Sequence, residues 1–143
     1  MTSSLVGSEM CIRDSNKGEN KILMCKRAKD PYKGKLNLVG GKVELGEDEL
    51  SAAYRELQEE TGITKDDITL IHIMNFQYIL SNMELEVYMG TLNKEVKLVK
   101  EVNELYWVSK SENFFDSNKF AGEGNIGHMV IKAEMSKAEL TKA

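Results

Sequence analysis

The stretch from Gly40 to Ile63, GGKVELGEDELSAAYRELQEETGI, constrains this chain more than any other, because its apolar and charged residues both keep helical spacing. Leu50, Ala53, Tyr54 and Leu57 recur at i, i+3, i+4 and i+7, which is one apolar stripe of an amphipathic helix between Asp48 and Thr61. At about 100° per residue, Glu56, Glu59 and Glu60 project within a sector of roughly 100° beside that stripe. Acidic residues from Glu47 to Glu49 suit the positive end of the helix dipole, and Gly62 stands where a left-handed C-terminal cap belongs. The last turn breaks this pattern. Glu59 and Glu60 sit at the negative end of the dipole beside a third carboxylate, an arrangement that calls for a compensating cation. Arg55 is one local candidate, and hard oxygen ligands at i, i+3 and i+4 also describe a site for Mg²⁺ or Mn²⁺. The alternative is a solvated acidic helix face.

The residues around the triplet stand at fixed distances from it. Gly41, five residues, Glu47, seven residues and then Arg55 to Ile63, RELQEETGI, resemble the complete signature of the Nudix hydrolases, with nine fixed positions inside twenty-three residues and no mismatch. A pattern of that length is far more specific than a lone short glycine motif. It covers only about a sixth of the chain, so the flanks are read on their own terms.

With 143 residues, 41% hydrophobic and 29% charged, the chain fits one globular domain with a core. Its apolar runs are too short to span a membrane, and the single Pro argues against long linkers. Two cysteines, Cys11 and Cys25, make no disulfide framework or metal-finger spacing, so a reducing, cytoplasmic setting is the default. A net charge of −4 argues against nonspecific nucleic-acid binding but allows a polyanionic substrate bridged to carboxylates by metal. Residues 1–15 carry neither the basic start nor the apolar stretch of a secretory signal. Within them SLVGSEMCIRDS resembles a translated sequencing-adapter remnant, so a non-native or disordered segment is expected, with one domain over residues 16–143.

Lys21 to Arg27 reads as a short buried strand with Cys25 packed in it. A loop through Asp30, Pro31 and Gly34 follows, and Leu36 to Val39 leads into the pair Gly40 and Gly41, where the backbone can approach a neighbour closely. Ile68 to Met74 and Phe76 to Leu80, then Met83 to Leu92 after a turn at Ser81 and Asn82, read as a β-hairpin. In its second strand Leu85, Val87 and Met89 face one way and Glu84, Glu86 and Tyr88 the other, with the two glutamates expected in solvent. His72 is expected to be packed, and Glu104 to Ser109 is a further strand. Ile126 to Leu140 reads as a closing helix with Asn125 as a candidate N-cap.

The resemblance implies an α+β fold, the Nudix α/β/α sandwich with a mixed β-sheet. It implies hydrolysis of a nucleoside diphosphate linked to X with Mg²⁺, or Mn²⁺, as cofactor and a small nucleotide as substrate. The candidate catalytic residues are Glu56, Glu59 and Glu60, with Glu47 and Arg55 as a supporting ion pair. The metal candidates are the Gly40 carbonyl, the same three glutamates and Glu101, which lies six residues before Trp107, as an extra carboxylate does in some MutT-like enzymes. Arg27 and Lys42 are candidates for phosphate, as is Lys35. Asn125 is a candidate reader of a purine edge, because an amide both donates and accepts. MutT-like relatives often carry Pro before the glycine pair where this chain has Val39. A MutT-like triphosphatase acting on an oxidised purine such as 8-oxo-dGTP is the favoured reading. An ADP-ribose or nucleotide-sugar diphosphatase is the alternative within the family. A noncatalytic nucleotide sensor is the alternative of another class, disfavoured by the intact carboxylates. The related isoprenoid isomerases use a catalytic Cys in surroundings that Cys25 alone does not supply.

Overall fold

A computed structural model describes residues 5–14, 21–29, 32–78, 82–92, 94–99, 104–122 and 124–142. Six strands and two helices follow in the order β1 (Leu5–Asp14), β2 (Lys21–Lys26), β3 (Leu36–Lys42), α1 (Glu49–Thr61), β4 (Ile71–Tyr78), β5 (Met83–Leu92), β6 (Glu104–Ser109) and α2 (Asn125–Lys142). The strands form one mixed sheet in the order β4-β5-β1-β3-β2-β6. Only β1 and β5 run parallel, and the remaining pairings are antiparallel.

Each face of the sheet is covered by one helix, which makes the layers of an α/β/α sandwich. On one face Met10, Ile12, Leu23 and Val39 pack with Ala53, Leu57 and Ile63 of the α1 region. On the other, Cys11, Ile22, Met24 and Leu38 pack with Ile126, Met129, Val130 and Ala133 of α2. A strand covered on both faces reads as a continuous apolar run, without the alternation of a half-buried one. Met10, Cys11 and Ile12 are such a run, all fully buried.

Residues 5–14, from the segment expected to be non-native or disordered, form strand β1 in this structure. Along its whole length β1 pairs with Met83–Leu92, and its other edge meets β3 from Gly7↔Lys42 to Met10↔Val39. Arg13 is buried and ion-paired with Glu134 of α2. Strand pairing depends on which side chains are present and not on their ancestry, so an adapter-like segment can serve as a central strand.

The structure makes further corrections. Leu50 of the supposed apolar stripe is exposed, and Ala52 is buried instead. The hairpin of β4 and β5 exists, but Ile68 and Leu70 precede β4 as core residues of the loop. Glu86 is buried and bonds His72 (Oε2 to Nε2, 2.6 Å), whereas the His72 side chain is 46% exposed, the reverse of what alternation predicts for the pair. Lys35 turns its Nζ to the Ser117 carbonyl. The closing helix starts at Asn125, after Gly124 with φ +92°.

Candidate active site

The site is assembled where β3 meets α1. Asp48 starts the helix by accepting a hydrogen bond from the Ser51 N–H (3.2 Å), and Gly62 ends it at φ +83°, its N–H donating to Gln58. Beyond the cap, the Val99 N–H donates to the Thr61 carbonyl (2.8 Å), tying the loop of residues 94–99 to the end of α1. The expected carboxylate of that loop, Glu101, lies outside the described residues.

Gly40 and Gly41 leave open space that a Cβ would take from a neighbour. A Cβ on Gly41 would stand 2.0 Å from Cδ of Glu56, and one on Gly40 would stand 2.1 Å from the Ser8 carbonyl oxygen. The strand can therefore lie directly beneath the carboxylates. The Gly40 N–H donates to Glu60.

Arg55 organises one side of the site. Its Nε donates to Glu47 (2.6 Å), and one terminal nitrogen donates to Glu47 (2.9 Å) and to the Lys42 carbonyl (3.0 Å). The other donates to Glu56 (2.9 Å) and Glu59 (3.2 Å). A guanidinium fork matches a carboxylate with two parallel bonds, which fixes the loop before α1 to the helix. The Glu47 hydrogen bond holds that carboxyl down at about 2, and the same contact raises the Arg55 guanidinium above its usual range.

The far side of the site is different in kind. Burial, and then the Glu56 charge, push the Glu60 carboxyl up to about 7, against the lowering effect of the Gly40 N–H. Glu56 is also raised, by burial first, although Arg55 opposes the shift. Oε2 of Glu60 is sealed from solvent with no hydrogen-bond partner, and so is Oε2 of Glu9 on β1. Burial and the Glu60 charge raise Glu9 well above the usual carboxylate range.

Glu9, Arg27, Gly40, Gly41, Lys42 and Glu60 line one cleft of about 260 Å³. Thus Gly40, Lys42, Arg27 and Glu60 of the sequence candidates come together there, with Glu56 against Gly41. Asn125 is not part of that lining and lies at the start of α2. His128 packs edge-on against Phe115 (5.1 Å between centroids). Glu9 lies in the segment expected to be non-native or disordered and is not among the sequence candidates. Its signal was a lone carboxylate within an otherwise apolar and small-residue run, SEMCI.

Among the described residues no three His, Cys, Asp or Glu side chains gather closely enough to coordinate one ion as they stand. Arg55 draws Glu56 and Glu59 to itself while Glu60 turns to Gly40. The fit to a divalent cation rests instead on the two sealed carboxylate oxygens, since a buried carboxylate oxygen without a donor is a costly arrangement that a cation relieves.

The NUDIX domain pattern matches residues 8–126 of the chain. The 8-oxo-dGTP diphosphatase of Escherichia coli (strain K12) is 40% identical over 68 residues, covering 47% of this chain and 50% of that protein. The ADP-ribose pyrophosphatase of Methanocaldococcus jannaschii is 34% identical over 91 residues, covering 55% of this chain and 54% of that one. The chain thus spans about half the length of these curated relatives. In fold it is similar to a C. elegans Ap4A hydrolase, with a TM-score of 0.75 and 22% identity over 93% of this chain and 98% of that one. The signature from Gly41 to Ile63, the sandwich that carries it and the match over residues 8–126 together make this chain a member of the Nudix family.

Proposed function

We propose that the chain hydrolyses the diphosphate bond of a nucleoside diphosphate linked to X, in a divalent-metal-dependent reaction at the cleft between β3 and α1. The observation that carries this reading is the sealed, unpartnered oxygen of Glu60 in the same cleft as Arg27 and Lys42. Glu56, Glu59, Glu60 and the Gly40 carbonyl are the residues we assign to Mg²⁺, with Mn²⁺ as the alternative ion and Glu101 as a further ligand. Bound there, the ion neutralises phosphate oxygens and acidifies a water. Arg27 and Lys42 hold the phosphates, and the Glu47–Arg55 pair keeps the loop and helix in register. Water adds to phosphorus, the bridging P–O bond breaks with its electron pair on the leaving phosphate oxygen, and a glutamate, one of Glu56, Glu59 and Glu60 or one elsewhere, takes the proton that water loses.

For the substrate we favour an oxidised purine nucleoside triphosphate, split into the monophosphate and pyrophosphate. The similarity to the Escherichia coli 8-oxo-dGTP diphosphatase supports that choice. A purine-reading role for Asn125 is carried by the family resemblance alone, since that residue does not line the cleft. The similarity to an ADP-ribose pyrophosphatase over a longer stretch supports a second reading, cleavage of ADP-ribose to AMP and ribose 5-phosphate. The two free cysteines, both buried, support a reducing, cytoplasmic setting. Among the described residues no helix is long and apolar enough to cross a membrane.

A panel of 8-oxo-dGTP, dGTP, ADP-ribose and nucleotide sugars with Mg²⁺, scored separately for pyrophosphate, orthophosphate and AMP, tests both readings. Pyrophosphate release fastest from 8-oxo-dGTP is expected. AMP release from ADP-ribose as the dominant activity would replace the first reading with the second. Turnover that persists in excess chelator would overturn the metal-dependent proposal.

A further inference from the structure

Glu9 is used by nothing described so far. It lies on the central strand β1 directly opposite Gly40 of β3. The Cβ that Gly40 lacks would stand 3.2 Å from Cδ of Glu9, so the glycine clears the space this carboxyl occupies. Across the same glycine, Glu60 takes the Gly40 N–H. Two carboxylates from different elements therefore approach one residue, and both line the same cleft.

Neither arrangement is explained by the chain's own bonding. Oε2 of Glu9 and Oε2 of Glu60 are each sealed from water and each without a hydrogen-bond partner. Among the described residues no donor of the chain reaches either oxygen. Arg27 lines the cleft and acts on Glu9 through its charge, yet it does not bond this oxygen. A sealed carboxylate oxygen lacking a donor is strongly disfavoured, and two of like charge in one cleft are more so. A divalent cation satisfies both at once, because hard oxygen ligands are what Mg²⁺ and Mn²⁺ take.

We propose that Glu9 is an additional carboxylate of the divalent-metal site, supplied by β1 from the sheet side of Gly40 and acting together with Glu60. This rests on the metal-dependent reading above and extends it to a residue outside the signature. The metal site of this chain is then built from three elements, β1, β3 and α1, so that metal binding also ties the helix to the centre of the sheet.

The test is Mn²⁺ binding to the metal-free, substrate-free full chain, read as free Mn²⁺ by electron paramagnetic resonance, for the wild type, Glu9→Gln and Glu60→Gln. Both variants should bind at least about tenfold more weakly than the wild type, the scale of losing a group that holds or orients a bound metal. Metal-free melting should not fall in Glu9→Gln, because Oε2 of Glu9 makes no hydrogen bond that the substitution would break, and the rise in melting temperature on adding Mn²⁺ should shrink. If Glu60→Gln weakens binding but Glu9→Gln matches the wild type, Glu9 is no part of the site and the metal site stands without it. If both variants match the wild type, the metal-dependent reading falls and this proposal with it. Should Glu9→Gln not fold, Glu9→Asp keeps the charge and draws it back by one methylene. Wild-type Mn²⁺ affinity in that variant would equally overturn the assignment.

Discussion

Glu47 stands just before the thirteen-residue helix α1 and Glu60 in its last turn, and the protein treats them in opposite ways. Glu47 receives the forked guanidinium of Arg55, and its carboxyl is held at about 2. Glu60 is pressed between α1 and β3, receives the Gly40 N–H, and its carboxyl is pushed up to about 7. Residue type does not distinguish them, and their partners and burial do. A carboxylate satisfied by the chain holds the structure together, whereas one left short of donors is available to a ligand. Arg55 reaches Glu47, Glu56 and Glu59 at once, so it marks the border between the two regions.

The most severe way to break this comparison is to remove the floor beneath the Glu60 end. Deleting residues 5–14 takes away a strand paired on both edges together with the buried Met10, Cys11 and Ile12. Loss of the cooperative thermal transition in calorimetry is expected, and a native melting temperature would show that β3 and β5 close up without β1.

Next in size is Glu60→Gln. Turnover with Mg²⁺ should drop on the order of a hundredfold, because a charged ligand is lost. Metal-free stability should hold or rise, since the buried charge is gone. A stability loss comparable to the activity loss would mean that Glu60, like Glu47, is a structural partner.

Gly41→Ala sharpens the contrast inside the site. The new methyl would stand 2.0 Å from Cδ of Glu56, the far end of a flexible side chain, so Glu56 swings aside while the strand stays. Turnover should fall roughly tenfold while melting moves by no more than a few degrees, about 1 kcal/mol for a domain of this size. Gly40→Ala meets the Ser8 backbone oxygen instead and should lower melting further. Equal melting temperatures for the two variants would contradict these contacts.

The smallest expected effect belongs to Glu47 and depends on pH. Its folded carboxyl lies at about 2, below the ordinary 4.5, so the stability it contributes is present above pH 4.5 and lost as pH falls through 2. Glu47→Gln should therefore be less stable than the wild type in urea at about pH 6, with the gap closing at about pH 3 and below. A gap that stays constant would show that Arg55 does not hold Glu47 in this way.

The helix α1, its left-handed Gly62 cap and the identity of the signature residues were legible in the sequence because local spacing and backbone preference determine them. Four strands, β2, β4, β5 and β6, were legible within a few residues for the same reason, whereas β3 was legible only as the approach to the glycine pair. The central strand was not. Five of its residues are apolar, but without alternation, since both faces of β1 are covered, and periodicity carries no signal for such a strand. Glu86 misled in a related way, because alternation gives the face of a strand and not what covers that face. Its burial follows from the neighbouring strands and from His72.

Sequence alone determined that three glutamates share one helix sector and that a glycine pair precedes them, since both follow from positions along one segment. Which glutamates the chain itself satisfies was decided only by the tertiary structure. Arg55 stands one residue before Glu56 and eight after Glu47, and only the folded loop brings it onto both. Glu9 and Glu60 are fifty-one positions apart, and it is the pairing of β1 with β3, and of β3 beneath α1, that lines one cleft with both. Electrostatic environment is set by what surrounds a group in space, and for residues so distant in sequence that is known only once the sheet is formed.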